Sequence, residues 1–102
     1  MITLTNEKKR QLIGSAHSLK PVVMLGNQGV TENIIAEIDR ALFDHELIKI
    51  KISGAEDKSQ KITMANEICH RVKAECLRII GNIAILYRSS DKKKKEKINK
   101  NK

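Results

Sequence analysis

The chain has 102 residues, 20 Lys or Arg against 12 Asp or Glu, and a formal net charge of +8. That length holds one domain and one core, which excludes a multidomain architecture, and a hydrophobic fraction of 40% with 31% charged residues describes a soluble globular fold. No stretch approaches the roughly 20 apolar residues of a membrane span, and the start MITLTNEKKRQL lacks the apolar core of a signal peptide, so a cytoplasmic protein with no membrane partner is expected.

Charge is unevenly spread. From Arg88 to Lys102 the segment RSSDKKKKEKINKNK carries eight Lys or Arg against Asp91 and Glu96, six of the eight net charges. Ile98 is its one apolar residue, too little to bury, so residues 89-102 are expected to form a disordered Lys-rich tail behind a folded domain at residues 1-88. A positive balance of this size favours a polyanionic partner, and it also fits an acidic membrane surface. Cys69 and Cys76 are too few for a disulfide scaffold and read as free thiols.

Thr5 is placed to cap a first helix, with Glu7 in the positive first turn and Leu12, Ile13 and Ala16 as a short apolar stripe. Pro21 pushes Lys20 out of helical backbone and ends that helix within HSLKP. VVML is short, β-branched and continuously apolar, the pattern of a buried strand, and Gly26 terminates it. Asn27 and Gln28 then separate Gly26 from Gly29, ahead of the clearest helix start in the chain: Thr31 as N-cap, Glu32 in the first turn, and Val30 and Ile35 at the two positions of a hydrophobic staple. Ile34, Ile35, Ile38, Ala41 and Leu42 fall on one stripe of this second helix.

LIKIKI, from Leu47 to Ile52, alternates strictly, so Ile48, Ile50 and Ile52 face one way and Lys49 and Lys51 the other. After the polar turn SGAEDKS, the stripe Ile62, Ala65, Ile68, Cys69 and Val72 predicts a third helix ending near Glu75. CLRII and IAILYR read as strands joined by a tight turn at Gly81 and Asn82. The order α-β-α-β-α-β-β implies a single α/β domain with three helices and a mixed four-stranded sheet, its crossovers right-handed where strands run parallel.

No set of reactive groups converges in this pattern. His17, His45 and His70 lie in no zinc or nucleophile motif, and Cys69 and His70 are helix neighbours whose side chains diverge by about 100°. Cys69 sits on the apolar stripe as a small buried thiol, His17 suits a helix end, and Glu56 and Asp57 suit a turn or a cap. No phosphate-binding lysine follows the glycines. No catalytic residue, metal, cofactor or small-molecule substrate is expected.

Phe43 and Tyr87 are the only aromatic residues, so a platform of stacking rings for RNA bases is not expected, and contacts to phosphate and sugar must dominate any nucleic-acid binding. Two features remain, GNQG and the lysines around the sheet. The loop reads either as an ordinary two-glycine turn or as backbone that approaches an anion at a helix start, with Glu32 opposing the second reading. Lys49 and Lys51 read either as a solvated strand face or as a phosphate track, depending on whether that face is covered.

LKPVV entering a strand, the glycine loop, the helix TENIIAEIDRALFDHELIK and the closing GNIAILYR together resemble a CRM domain, named for chloroplast RNA splicing and ribosome maturation, in its free-standing bacterial YhbY-type form. The resemblance runs from Thr5 to Arg88. It implies an α/β fold like the C-terminal domain of a translation initiation factor, and RNA binding, in the bacterial members to ribosomal RNA in large-subunit precursors. By that resemblance Gly26, Asn27, Gln28 and Gly29 are the RNA-contacting loop; Lys20, Lys49, Lys51 and Arg88 are expected, from their charge and their places around the sheet, to supply attraction. The tail DKKKKEKINKNK lies beyond it. The expectation is a monomeric, non-catalytic RNA-binding protein; the alternative is a protein-interaction module docking on a ribosomal protein or assembly factor.

Overall fold

Seven elements succeed one another in the computed structural model, which describes residues 5–26, 28–53 and 57–89. They are α1 (Asn6–Ala16), β1 (Val23–Leu25), α2 (Glu32–His45), β2 (Leu47–Ile52), α3 (Lys58–Val72), β3 (Glu75–Ile80) and β4 (Ile83–Tyr87). This is the α/β order that the hydrophobic pattern predicts. Asn27 and the Lys-rich tail lie outside the described residues.

The four strands form one mixed sheet in the order β1-β2-β4-β3. β1 runs parallel to β2 with Val23 opposite Ile50, and β4 runs antiparallel to β2 with Ala84 opposite Ile50. β3 and β4 form the expected antiparallel hairpin, whose turn holds Gly81 at φ +57°. The β4 strand therefore returns into the space between β2 and β3, and β2 and β4 are the two central strands.

The alternation in LIKIKI divides the two faces of the sheet. Ile48, Ile50 and Ile52 are fully buried and join Val23, Leu25, Ala84 and Leu86 in one cluster with Ile38 and Leu42 of α2 and Ala65, Ile68 and Val72 of α3. Each such isoleucine contributes about 2 kcal/mol of burial. Ala16 and Ile85 are also buried but stand outside this cluster. Ile85 belongs to the opposite face, with Lys49 as its register partner, where α1 packs across β2 and β3.

Helix starts follow the capping residues. The Thr5, Thr31 and Asp57 side chains accept from the backbone N–H groups of Lys8, Ile34 and Gln60 at 3.1, 3.2 and 2.8 Å. Val30 and Ile35, the two residues at the expected staple positions, each pack against the core. Helix ends are less legible. α3 stops at Val72, short of Glu75, because Lys73 adopts left-handed backbone at φ +58° and the Ala74 N–H returns to the Cys69 carbonyl at 2.9 Å. α2 ends at Glu46 with φ +65°.

Arg88 fastens three elements at the far end of β4. Its Nη1 donates to Asp39 Oδ1 on α2 at 2.7 Å and to the Val72 carbonyl at the end of α3 at 2.8 Å, and its Nη2 donates to the Asp39 carbonyl at 3.0 Å. Only 13% of the side chain is exposed. Among the described residues its Nε finds no acceptor, which offsets part of that gain. We expect Arg88→Ala to lower the free energy of unfolding by about 2 kcal/mol in a urea titration, with Arg88→Lys recovering only part, since an ammonium lacks the planar fork these acceptors fit.

Candidate functional site

The glycine loop leaves the C-terminal end of β1 and is closed by its own backbone: the Gly29 N–H donates to the Gly26 carbonyl at 3.0 Å. Gly29 has φ +70°, a backbone conformation open to glycine and strained for other residues. Gly26 differs. Its φ lies outside the positive range, and a Cβ built there meets nothing within 4 Å. The fold therefore favours glycine at 29 and leaves 26 sterically unconstrained.

Loop and sheet are joined by the Ser53 N–H, which donates to the Leu25 carbonyl at 3.2 Å. Beside the loop lies a shallow hollow of about 310 Å³ lined by Gly26, Gln28, Gly29 and Val30 with Ser53 and with Gln60, Met64 and Glu67 of α3. Gln28 is exposed. At the start of α2, Glu32 is paired with Arg71 of α3 at 2.7 Å. Its charge at the helix N-terminus is therefore matched by a cation, which lessens the objection it raises to an anion at this end of the helix.

Of the expected cationic residues, Lys51 lies nearest the loop. It faces away from α2 and α3, half-buried, with Met24 and Ile83 as its register partners. Lys49 lies one row further from the loop on the same face, and its Nζ donates to the Leu19 carbonyl at 3.1 Å. Lys20 is exposed but precedes β1, whereas the loop follows it. Arg88 follows β4, whose other end lies by the loop, and its guanidinium is engaged with Asp39 and Val72. The structure thus gathers Gly26, Gln28, Gly29 and Lys51, keeps Lys49 behind them, and separates Lys20 and Arg88 from them.

Two further cations escape the sequence pattern, Arg78 in the row of Lys49, and Lys61 at this end of the sheet. Arg78 is exposed and pairs with Ile85, because an irregularity between Cys76 and Arg78 shifts the register. Strict alternation from Cys76, which joins the core, would turn Arg78 inward. Lys61 of α3 donates from Nζ to the Gly81 carbonyl at 3.2 Å, at the β3–β4 turn. Its only sequence signal is a polar position one residue before Ile62.

The remaining reactive groups are dispersed. Among the described residues no three His, Cys, Asp or Glu side chains cluster as metal ligands. Cys69 and Cys76 are free and hydrogen-bonded to each other. That bond to Cys76 and burial push the Cys69 thiol far above its ordinary range, while Cys76, accepting the bond, is lowered. Cys69 therefore holds its proton. Among the described residues no helix is long and apolar enough to cross a membrane.

This is a small α/β domain that presents a glycine loop and several cations at one end of its sheet. It belongs to the CRS1/YhbY (CRM) domain family, whose model matches residues 4–88. An "RNA-binding protein" of Haemophilus influenzae is 48% identical over 92% of this chain and 94% of its own length. The "Probable RNA-binding protein PA4753" of Pseudomonas aeruginosa is 38% identical, with 92% of this chain and 89% of that protein covered. The solution structure of the hypothetical protein SAV1595 from Staphylococcus aureus superposes with a TM-score of 0.76 at 32% identity, covering 86% of this chain and 91% of that one.

The two glycines make a direct test of what the fold demands. Gly29→Ala should cost about 1 kcal/mol of stability, because alanine is strained at positive φ. Gly26→Ala should leave the urea midpoint unchanged or raise it by up to about 1 kcal/mol equivalent.

Proposed function

We propose that this protein is a non-catalytic, monomeric RNA-binding protein of the cytoplasm that acts in assembly of the large ribosomal subunit, where it binds precursor ribosomal RNA through the loop Gly26, Asn27, Gln28 and Gly29. The observation that carries this reading is Gly26: a glycine in open space, with no positive φ to explain it, at the sheet end where Lys51 lies, with Arg78 exposed one row behind. Backbone that a phosphate or ribose approaches closely is a use for glycine that needs no strain. The names of the Haemophilus and Pseudomonas relatives support RNA as the ligand class, and the ribosomal target follows from the family resemblance.

Charge at the site is divided by its other duties. Lys51 and Arg78 carry no internal ion pair among the described residues, whereas Lys49 and Lys61 each donate to a backbone carbonyl and would release it to reach RNA. Lys20 contributes long-range attraction from the opposite end of β1, and Arg88 acts through the fold. The amides of Asn27 and Gln28 offer donors and acceptors to phosphate and sugar without reading sequence.

A protein truncated after Ser89 separates the body from the tail. On the proposal it retains RNA affinity with a salt slope of about −0.7 per phosphate contacted. Complete loss of binding with the tail would leave the body as a docking module for a ribosomal protein or assembly factor. Within the body, replacing Asn27 and Gln28 by Asp should weaken binding through repulsion with the melting curve unchanged. Gly26→Ala should lower affinity by roughly tenfold, about 1.4 kcal/mol; unchanged affinity in both variants returns the loop to a simple turn.

A further inference from the structure

One row of residues crosses all four strands at the loop end of the sheet. Met24 pairs with Lys51, Lys51 with Ile83, and Ile83 with Ile80. All four point away from α2 and α3, since Leu25, Ile52 and Ala84 beside them point into that core. The α1 helix packs on this face over β2 and β3, and Ile85 at the middle of the next row is 1% exposed, whereas both ends of this row are open: Met24 is 65% exposed and Ile80 48%. Two of the five exposed large apolar side chains among the described residues therefore stand in one line with a lysine, beside the glycine loop.

We propose that this row takes unpaired nucleobases of the bound RNA, so that the ligand is single-stranded where it crosses the sheet. The inference rests on the RNA-binding reading of the loop and adds the class of RNA. Charge selects the occupant. The two sheet rows nearest the loop display Lys51, Lys49 and Arg78 and no carboxylate; Glu75, the acidic residue of β3, lies at the other end opposite Tyr87. An apolar strip flanked by cations of one sign suits a polyanion with flat apolar bases better than an ordinary protein surface of mixed charge.

Geometry selects the strand state. Neighbouring strands lie about 4.8 Å apart, so Met24 and Ile80 are separated by about 14 Å across the row. Four-stranded sheets in other RNA-binding domains hold two or three bases over a comparable width, and those bases must be unpaired, because an A-form duplex keeps its base faces stacked inside. The scarcity of aromatic residues does not remove the site. A thioether and two isoleucine side chains make dispersion contact with a base face, and the Lys51 ammonium can lie over a ring or reach the adjoining phosphate.

The test uses the full chain, a fluorescently labelled single-stranded oligoribonucleotide and the same strand annealed to its complement. The double variant Met24→Ser with Ile80→Ser alters exposed positions, so its circular dichroism melt should match that of the parent. We expect the parent to prefer the single strand, and the variant to lose roughly tenfold in single-strand affinity with duplex affinity and salt slope unchanged, because no phosphate contact is removed. Photocrosslinking of the parent through 4-thiouridine should attach the strand to peptides holding Met24 or Ile80, independently of any variant. Equal single-strand affinity of parent and variant, or equal losses on both RNAs, overturns the proposal. A concentration-dependent dimer that the variant abolishes while RNA binding persists would assign the row to a second copy of the chain. If the parent binds neither RNA, the RNA-binding reading itself fails.

Discussion

Strict alternation in β2 is the constraint on which the rest of the molecule depends. β2 pairs with β1 on one side and β4 on the other, and its three isoleucines are fully buried beneath α2 and α3. A slip of one residue would exchange the isoleucines for Lys49 and Lys51 and place two ammonium groups in a dry core, a cost of several kcal/mol for each. Register is therefore fixed. Once it is fixed, Val23 and Leu25 must turn inward opposite Ile50 and Ile52, Met24 must turn outward, and the chain beyond Leu25 must leave the sheet where Ser53 can bond to it.

That placement gives the loop end its character. Backbone from three segments meets there: the end of β1, the end of β2, and the β3–β4 turn with Gly81 and Asn82. The Ile52 N–H donates to the Asn82 carbonyl at 2.7 Å, which locks the turn to β2. Cations arrive from strands whose other face is apolar, so their charge costs nothing in the core and is displayed on the face that α1 covers only in part. The far end of the sheet is organised for stability. Arg88, Asp39 and Val72 join β4, α2 and α3 there, the length of a strand away from the glycine loop.

Much of this was legible in the sequence, and the failures have identifiable causes. Element order, the caps at Thr5 and Thr31 and the division of LIKIKI into two faces follow from local pattern and short-range hydrogen bonding. The position of β4 between β2 and β3 does not, because strand order is decided by packing across the whole sheet. Lys73 and Glu46 end helices at positive φ without being glycine, so no residue type announces those stops. The register shift between Cys76 and Arg78 turns Arg78 outward, where unbroken alternation from Cys76 would place it in the core. Nothing near Arg88 in the chain announces its engagement, because its partners, Asp39 and Val72, are distant in sequence. Gly26 and Gly29 look alike in the chain, and only backbone geometry separates the glycine that shapes the turn from the one that leaves room beside it.

The central claim is that RNA meets the folded body at the glycine-loop end of the sheet, with the Lys-rich tail adding attraction. Amide and methyl chemical-shift mapping of the isotopically labelled full-length protein during titration with a single-stranded oligoribonucleotide tests it most directly. The account predicts saturable shifts at Gly26, Gln28, Gly29, Met24, Lys51, Ile80 and Ile83, with Asp39 and Arg88 unmoved. Shifts confined to residues 90–102, with the loop and the row unchanged, would contradict it.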